Sequence, residues 1–148
     1  MTVLPVTIDS DWFARSAVFE PVRRRIDCPW PPLETALTAS GVFAAGTRWS
    51  LPRGTVLRID TAFTATRSGP LPGCQAQARL SADAAHVFDS RIAIDVVAWS
   101  ETQSELLVRP TARRFAQWGA RRQRDYFVCA HDAADLLARL ARAASPLT

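Results

Sequence analysis

The C-terminal third of the chain constrains the fold most, because period-two alternation gives way at Thr111 to a long stretch of helical periodicity. At about 100° per residue, Phe115, Trp118, Arg122, Tyr126, Cys129, Ala133, Leu137 and Leu140 share one face. Arg113, Arg114, Arg121, Arg124, Asp125, His131, Asp132, Asp135, Arg139 and Arg142 share the other. A helix patterned in this way lies across a second layer rather than standing alone. Its apolar stripe also holds a guanidinium and a phenol. Burying either without a partner is costly, so Arg122 and Tyr126 are expected to meet a protein group, a water or a ligand.

Upstream, the pattern is that of strands. Residues 18–26 place Val18, Val22 and Ile26 on a mostly apolar side and stop at Asp27-Cys28-Pro29-Trp30-Pro31-Pro32. The prolines open a short helix that runs to Ala39 and ends at Ser40-Gly41. Residues 46–51 and 55–66 read as strands joined by the Pro52-Arg53-Gly54 turn, the second with Leu57, Ile59, Thr61, Phe63 and Ala65 inward. After a Pro- and Gly-rich loop at 67–73, Cys74, Ala76, Ala78 and Leu80 alternate with polar residues. His86, Phe88, Ser90, Ile92, Ile94, Val96 and Ala98 then share one face of a long strand. Residues 100–103 make a hairpin and 104–109 return, with Pro110 ending the sheet and Thr111 capping the long helix. The expected class is α+β, with an antiparallel sheet of about six to seven strands, a short helix after the first strand and a long closing helix. Residues 1–16 read as an N-terminal arm.

A chain of 148 residues, 48% hydrophobic, suits one domain over residues 1–148 that buries roughly two-thirds of its unfolded surface. The longest apolar runs fall far short of the roughly 20 residues of a membrane span. Residues 1–11 lack a basic segment followed by an apolar block, so the protein reads as cytoplasmic. Lysine is absent, and all 18 basic residues are arginine. That excludes a lysine Schiff base, covalent pyridoxal phosphate and a P-loop lysine. Cys28, Cys74 and Cys129 are widely spaced and read as buried thiols, and His86 and His131 are the only histidines, so no metal site and no cofactor are expected. The net charge of +4 raises a nucleic-acid partner, with Arg23, Arg24, Arg25 and the arginines of 113–124 as its surface. Against it, Arg121 with Asp125 and Asp135 with Arg139 are i, i+4 pairs that a solvated helix face uses anyway.

The stretch Arg24-Arg25-Ile26-Asp27-Cys28-Pro29-Trp30-Pro31-Pro32-Leu33-Glu34-Thr35-Ala36-Leu37-Thr38 resembles the opening of START-like, helix-grip proteins, the superfamily of polyketide cyclases and lipid-transfer domains. There a first strand ends in a similar turn and a short helix follows; the order of elements and the long last helix are similar too, over residues 18–144. The resemblance implies a strongly curved antiparallel sheet gripping the last helix, with an internal cavity between them. Such cavities hold lipids, sterols, plant hormones or polyketides, and the superfamily has no fixed catalytic motif to transfer.

The candidate catalytic groups are therefore argued from these residues. Arg122, central in the stripe, offers a fork of donors to a carboxylate, enolate or phosphate; the plainer reading pairs it with an acid such as Asp60 or Asp95. Tyr126, one turn on, reaches the same ligand group or, as a core aromatic, a backbone carbonyl. His86 is the histidine placed to act as a base, unless its position at a strand start leaves it in water. Trp118, Cys129, Phe63, Phe88 and Phe115 are candidate ligand-binding residues, each also explicable as core. The first functional expectation is binding of a hydrophobic or polyketide-type molecule, as a carrier or as a cofactor-independent cyclase or dehydratase working by confinement and an oxyanion donor. The alternative is an interaction or homodimer module using Val87, Val97, Trp99 and Leu107 on the outer side of the sheet.

Overall fold

The computed structural model describes residues 16–30, 32–66, 72–81 and 90–145. Its elements run β1 (Ser16–Val18), β2 (Val22–Ile26), α1 (Pro32–Ala39), β3 (Arg48–Ser50), β4 (Val56–Thr66), β5 (Gly73–Ser81), β6 (Ser90–Ala98), β7 (Ser104–Arg113) and α2 (Ala120–Ala144). Together they form one seven-stranded antiparallel sheet in the order β1-β7-β6-β5-β4-β3, with β2 also on β7, and the long helix on one face. The α+β class and the short helix after the first strands are as the pattern predicts. The expected arm falls on residues 1–15, outside those described, and Ser16.

Alternation decides which face closes. Cys74, Ala76, Ala78 and Leu80 of β5, Ile92, Ile94 and Val96 of β6, and Leu106 and Val108 of β7 are buried on the helix side. The sheet is curled, and β4 shows how: its register with β5 shifts between Ile59 and Thr61 and again between Thr61 and Thr64. Each shift puts an extra residue on β4, which bends the strand. Thr61, expected inward, is consequently exposed, whereas Phe63 turns back into the core; Ala65 is also exposed, near the strand's end.

Two further expectations are corrected. The strand read over 18–26 is two strands: Val18 pairs Thr111 and Val22 pairs Val108, so Phe19-Glu20-Pro21 face only Arg109-Pro110. Pro21 and Pro110 have no N–H to give a ladder, and the edge breaks where donors are missing. Nor does the sheet stop at Pro110. β7 continues to Arg113 because β6 and β1 flank it, with Ala112 opposite both Ser90 and Ala17. Thr111 therefore caps nothing; its hydroxyl donates to the Arg91 carbonyl at 3.0 Å.

After β7 the chain turns through Arg114, the one described non-glycine residue in the left-handed region, at φ 61°. A 3-10 turn at Phe115–Gln117 follows, and Gly119 precedes α2. Phe115 and Trp118 thus stand before the helix, not on it. The buried stripe of α2 comprises Tyr126, Cys129, Ala130, Ala133, Ala134, Leu137, Ala138 and Ala141. Most of these side chains are small, so the helix axis lies close to β2 and β7. Two polar ties fix its flank along the edge: Arg24 Nε meets Asp135 Oδ1 at 2.8 Å, and Arg142 donates to the Arg25 carbonyl at 3.0 Å. No described helix is long and apolar enough to cross a membrane.

Gly73 begins β5 with no room for a side chain, since an added Cβ would lie 2.6 Å from the Val96 carbonyl oxygen. Backbone on β6 has to move to admit it. Gly73→Ala is expected to lower stability by about 1–3 kcal/mol, read as a fall in denaturation midpoint with unchanged slope.

Candidate functional site

The broken edge and the turn before α2 assemble an aromatic cluster that no single segment contains. Phe19, released from the ladder at the break, packs edge-on against Phe115 at 4.7 Å between centroids and Phe127 at 4.8 Å, and lies 5.8 Å from Tyr126. Trp118 stands 5.5 Å from Phe115 and 5.6 Å from Tyr126. Arg122 lies over the outer side of this group, its guanidinium carbon 4.6 Å from the Trp118 ring centroid. Cation–π contact is thus part of how this guanidinium is held at the cluster's edge. Asp60 and Asp95, weighed as its partners, bind other arginines: Arg58 and Arg79 for the first, Arg109 for the second.

Tyr126 is fully buried, and its hydroxyl donates to the Thr111 carbonyl at 3.1 Å. The Ser90 hydroxyl bonds to the same phenol, and Ser90 Oγ accepts from the Leu80 N–H at 3.3 Å. Burial pushes the phenol's pKa well above its usual 10.0, outweighing the Ser90 bond, so it keeps its proton. It is a donor committed to a backbone carbonyl, the alternative that the sequence left open beside a ligand contact.

Of the remaining described candidates, Phe63 lies apart, whereas Cys129 is near enough to Tyr126 to act on its phenol electrostatically. Cys129 is buried in the α2 stripe, and Phe63 packs against Phe43 at 5.1 Å on β4, three strands from β7 in the sheet. His86 and Phe88 lie outside the described residues, as does Val87. Cys74, near Glu34 and Asp95, has its thiol pushed up to about 12 by burial first and by those charges second, which leaves no reactive thiolate at neutral pH. Among the described residues no group of histidine, cysteine and carboxylate side chains could hold a metal ion.

Beside the cluster, α2 and the broken edge fail to close. An open cleft of about 430 Å³ lies there, floored by Phe19, Val22, Pro110, Phe127 and Ala130 and rimmed by Glu20 and His131. It sits on the flank of α2, next to the packed stripe, where the Phe19–Pro21 bulge pulls the edge strand away. Further along the same flank, the Arg24–Asp135 and Arg142–Arg25 ties shut the seam. Sequence reasoning placed His131 in solvent and did not single out Phe19, Phe127 or Glu20. The available signal was two prolines, Pro21 and Pro110, inside runs that otherwise read as strands. No known family, curated protein or solved structure matches this chain.

Tyr126 is the only tyrosine, so tyrosinate absorbance reports it alone. Tyr126 and Cys74 both hold their protons more tightly folded than unfolded, so their contribution to stability is complete below their usual values of 10.0 and 9.0 and is lost as pH rises above them. The native protein is expected to show no tyrosinate signal until it unfolds in alkali. Tyr126→Phe, which leaves the Thr111 carbonyl without this donor, should cost about 1–2 kcal/mol in denaturant.

Proposed function

We propose that this protein binds an apolar small molecule in the cleft between α2 and the broken edge strand, as a carrier or sensor rather than as an enzyme. The observation that carries this reading is the cleft itself: about 430 Å³, apolar in its floor, with one carboxylate and one imidazole at the rim. That volume falls in the range of drug-sized sites, and an apolar lining with a few polar groups is how such sites combine affinity with orientation. The ligand class that fits is a compact apolar or aromatic body with one hydrogen-bonding group reaching Glu20 or His131. The resemblance to START-like proteins in order of elements supports a ligand-binding reading.

Two features favour binding over the cyclase or dehydratase alternative. Confinement chemistry depends on excluding water, and the cleft is open to solvent. The phenol that would have served as oxyanion donor is held by the Thr111 carbonyl behind the cluster. Phe127, exposed and part of the cleft lining, is the side chain a ligand would cover.

The neutral dye N-phenyl-1-naphthylamine is expected to bind one molecule per chain with a rise in fluorescence. Phe127→Asp should weaken it about tenfold or more, roughly the effect of losing one well-buried apolar contact and desolvating a carboxylate, while far-UV circular dichroism stays unchanged. Non-saturable dye uptake, or equal affinity in the variant, would remove the cleft as the binding site.

A further inference from the structure

The face of the sheet turned away from α2 carries more guanidinium groups than the acids beside them balance. Register sets Arg48 of β3 opposite Arg58 of β4, and Arg58 opposite Arg79 of β5. Ala78 opposite Ile92 puts Arg91 of β6 next in the same row. Neighbouring strands are about 4.8 Å apart, so four guanidinium side chains step across roughly 14 Å of surface. Like charges directly opposite one another weaken a sheet; folding does not favour such a row.

Arg109 of β7 and Arg23 and Arg25 of β2 extend it along the same face. Among the described strand residues, three acids share that face with these seven arginines. Asp60 takes Arg79 at 2.8 Å and Arg58 at 3.3 Å, Asp95 takes Arg109 at 3.1 Å, and Glu105 takes Arg23 at 2.8 Å and Arg25 at 3.4 Å. The helix, by contrast, interleaves its arginines with Asp125, Asp132 and Asp135. It was the helix that argued against a polyanionic partner; on the sheet face the arginines outnumber the acids by more.

The chemistry of the row suits phosphate. Guanidinium forks give two parallel donors to a phosphate, a geometry that lysine lacks, and a guanidinium with one carboxylate bond retains further donors. Trp99 is exposed just past the C-terminal end of β6, eight residues and so roughly 26 Å along the strand from Arg91, with the Arg25 guanidinium carbon 3.9 Å from its ring centroid. An aromatic platform beside a basic track is how proteins hold single strands without reading sequence. A bilayer fits less well: the face curves, and Trp99 is its one large exposed hydrophobic side chain among the described residues. We propose that this outer face binds single-stranded nucleic acid, with backbone phosphates on the Arg48–Arg58–Arg79–Arg91 row and a base stacked at Trp99.

The test is fluorescence anisotropy of the full chain with a fluorescein-labelled 20-nucleotide oligo(U), titrated with salt. Binding in the micromolar range at 50 mM salt is expected, weakening linearly in log–log form by about 0.7 per phosphate contacted. Arg58→Gln with Arg79→Gln should reduce that slope by about 1.4, the share of two contacts, and Trp99→Ala should weaken binding by about fivefold or more, as loss of one stacked base does. The charge-matched control Arg121→Gln with Arg124→Gln on the helix should leave both unchanged. Because Arg58 and Arg79 also hold Asp60, Arg48→Gln, outside the ion pairs of the described residues, provides a second variant, and melting temperatures are measured for all variants. Equal losses from the helix and sheet pairs, no binding by the parent protein, or binding to phosphatidylserine vesicles or polyglutamate but not to oligo(U) would overturn the proposal.

Discussion

Everything in this structure depends on how closely α2 lies against β2 and β7, and the size of the side chains between them permits that approach. Cys129, Ala130, Ala133, Ala134, Ala138 and Ala141 present little more than methyl groups or a thiol to the sheet. Tyr126 and Leu137 are the two large groups in the stripe, and Tyr126 is accommodated because its hydroxyl finds the Thr111 carbonyl. Close packing on this scale gains dispersion contacts. A cleft opens at the flank of the helix. There the edge strand, freed of two ladder donors by Pro21 and Pro110, swings Phe19 out of line and into the aromatic cluster.

The two faces of the sheet thus divide the chemistry. The helix side is apolar, ends in a cluster of five aromatic rings, and opens into a cleft with a single acid and a single imidazole at its rim. The opposite side is mostly polar and charged, with Glu105 among its buried positions. Leu107, expected to be exposed as part of a dimer surface, is buried between cross-strand neighbours Arg23 and Asp95, and Glu105 is buried beneath the Arg23 and Arg25 side chains it binds. Val97 is half-buried, leaving Trp99 as the large apolar group of that surface, and Arg25 covers part of it. Arginine stems covering apolar surface while their heads remain in water account for the burial of Leu107.

Strand alternation made the inward faces of β5, β6 and β7 legible from residue order, because a period of two has only one solution once a side is apolar. The same logic failed at Thr61, since a bulge is a backbone event that depends on the partner strand and leaves no mark in the residues themselves. The helix stripe from Tyr126 onward was legible for the corresponding reason at a period of 3.6. Its start was not: Phe115 and Trp118 fall on the same wheel face by arithmetic, yet the pairing of β1 with Ala112 and Arg113 holds that segment in the sheet, and such long-range pairing cannot be read locally. Of the candidate site, Tyr126, Trp118, Phe115 and Arg122 were found as neighbours, while Phe19 and Phe127 were missed because they meet them only across the fold. The arginine row was invisible for the same reason, its members lying in four strands with nothing in sequence to align them.

β7 has partners on both sides: β6, which precedes it by a tight hairpin, and β1 with β2, from the other end of the chain, Ser16 opposite Arg113. During synthesis β1 and β2 therefore leave the ribosome long before the strand that receives them exists. Throughout that interval Val22 and Ile26 have no core to enter, and the hairpins β4–β5 and β6–β7 form first because their closure spans are short. The cleft, lined by Phe19, Val22, Pro110 and Phe127, therefore needs the first described strands, the last strand and α2 together.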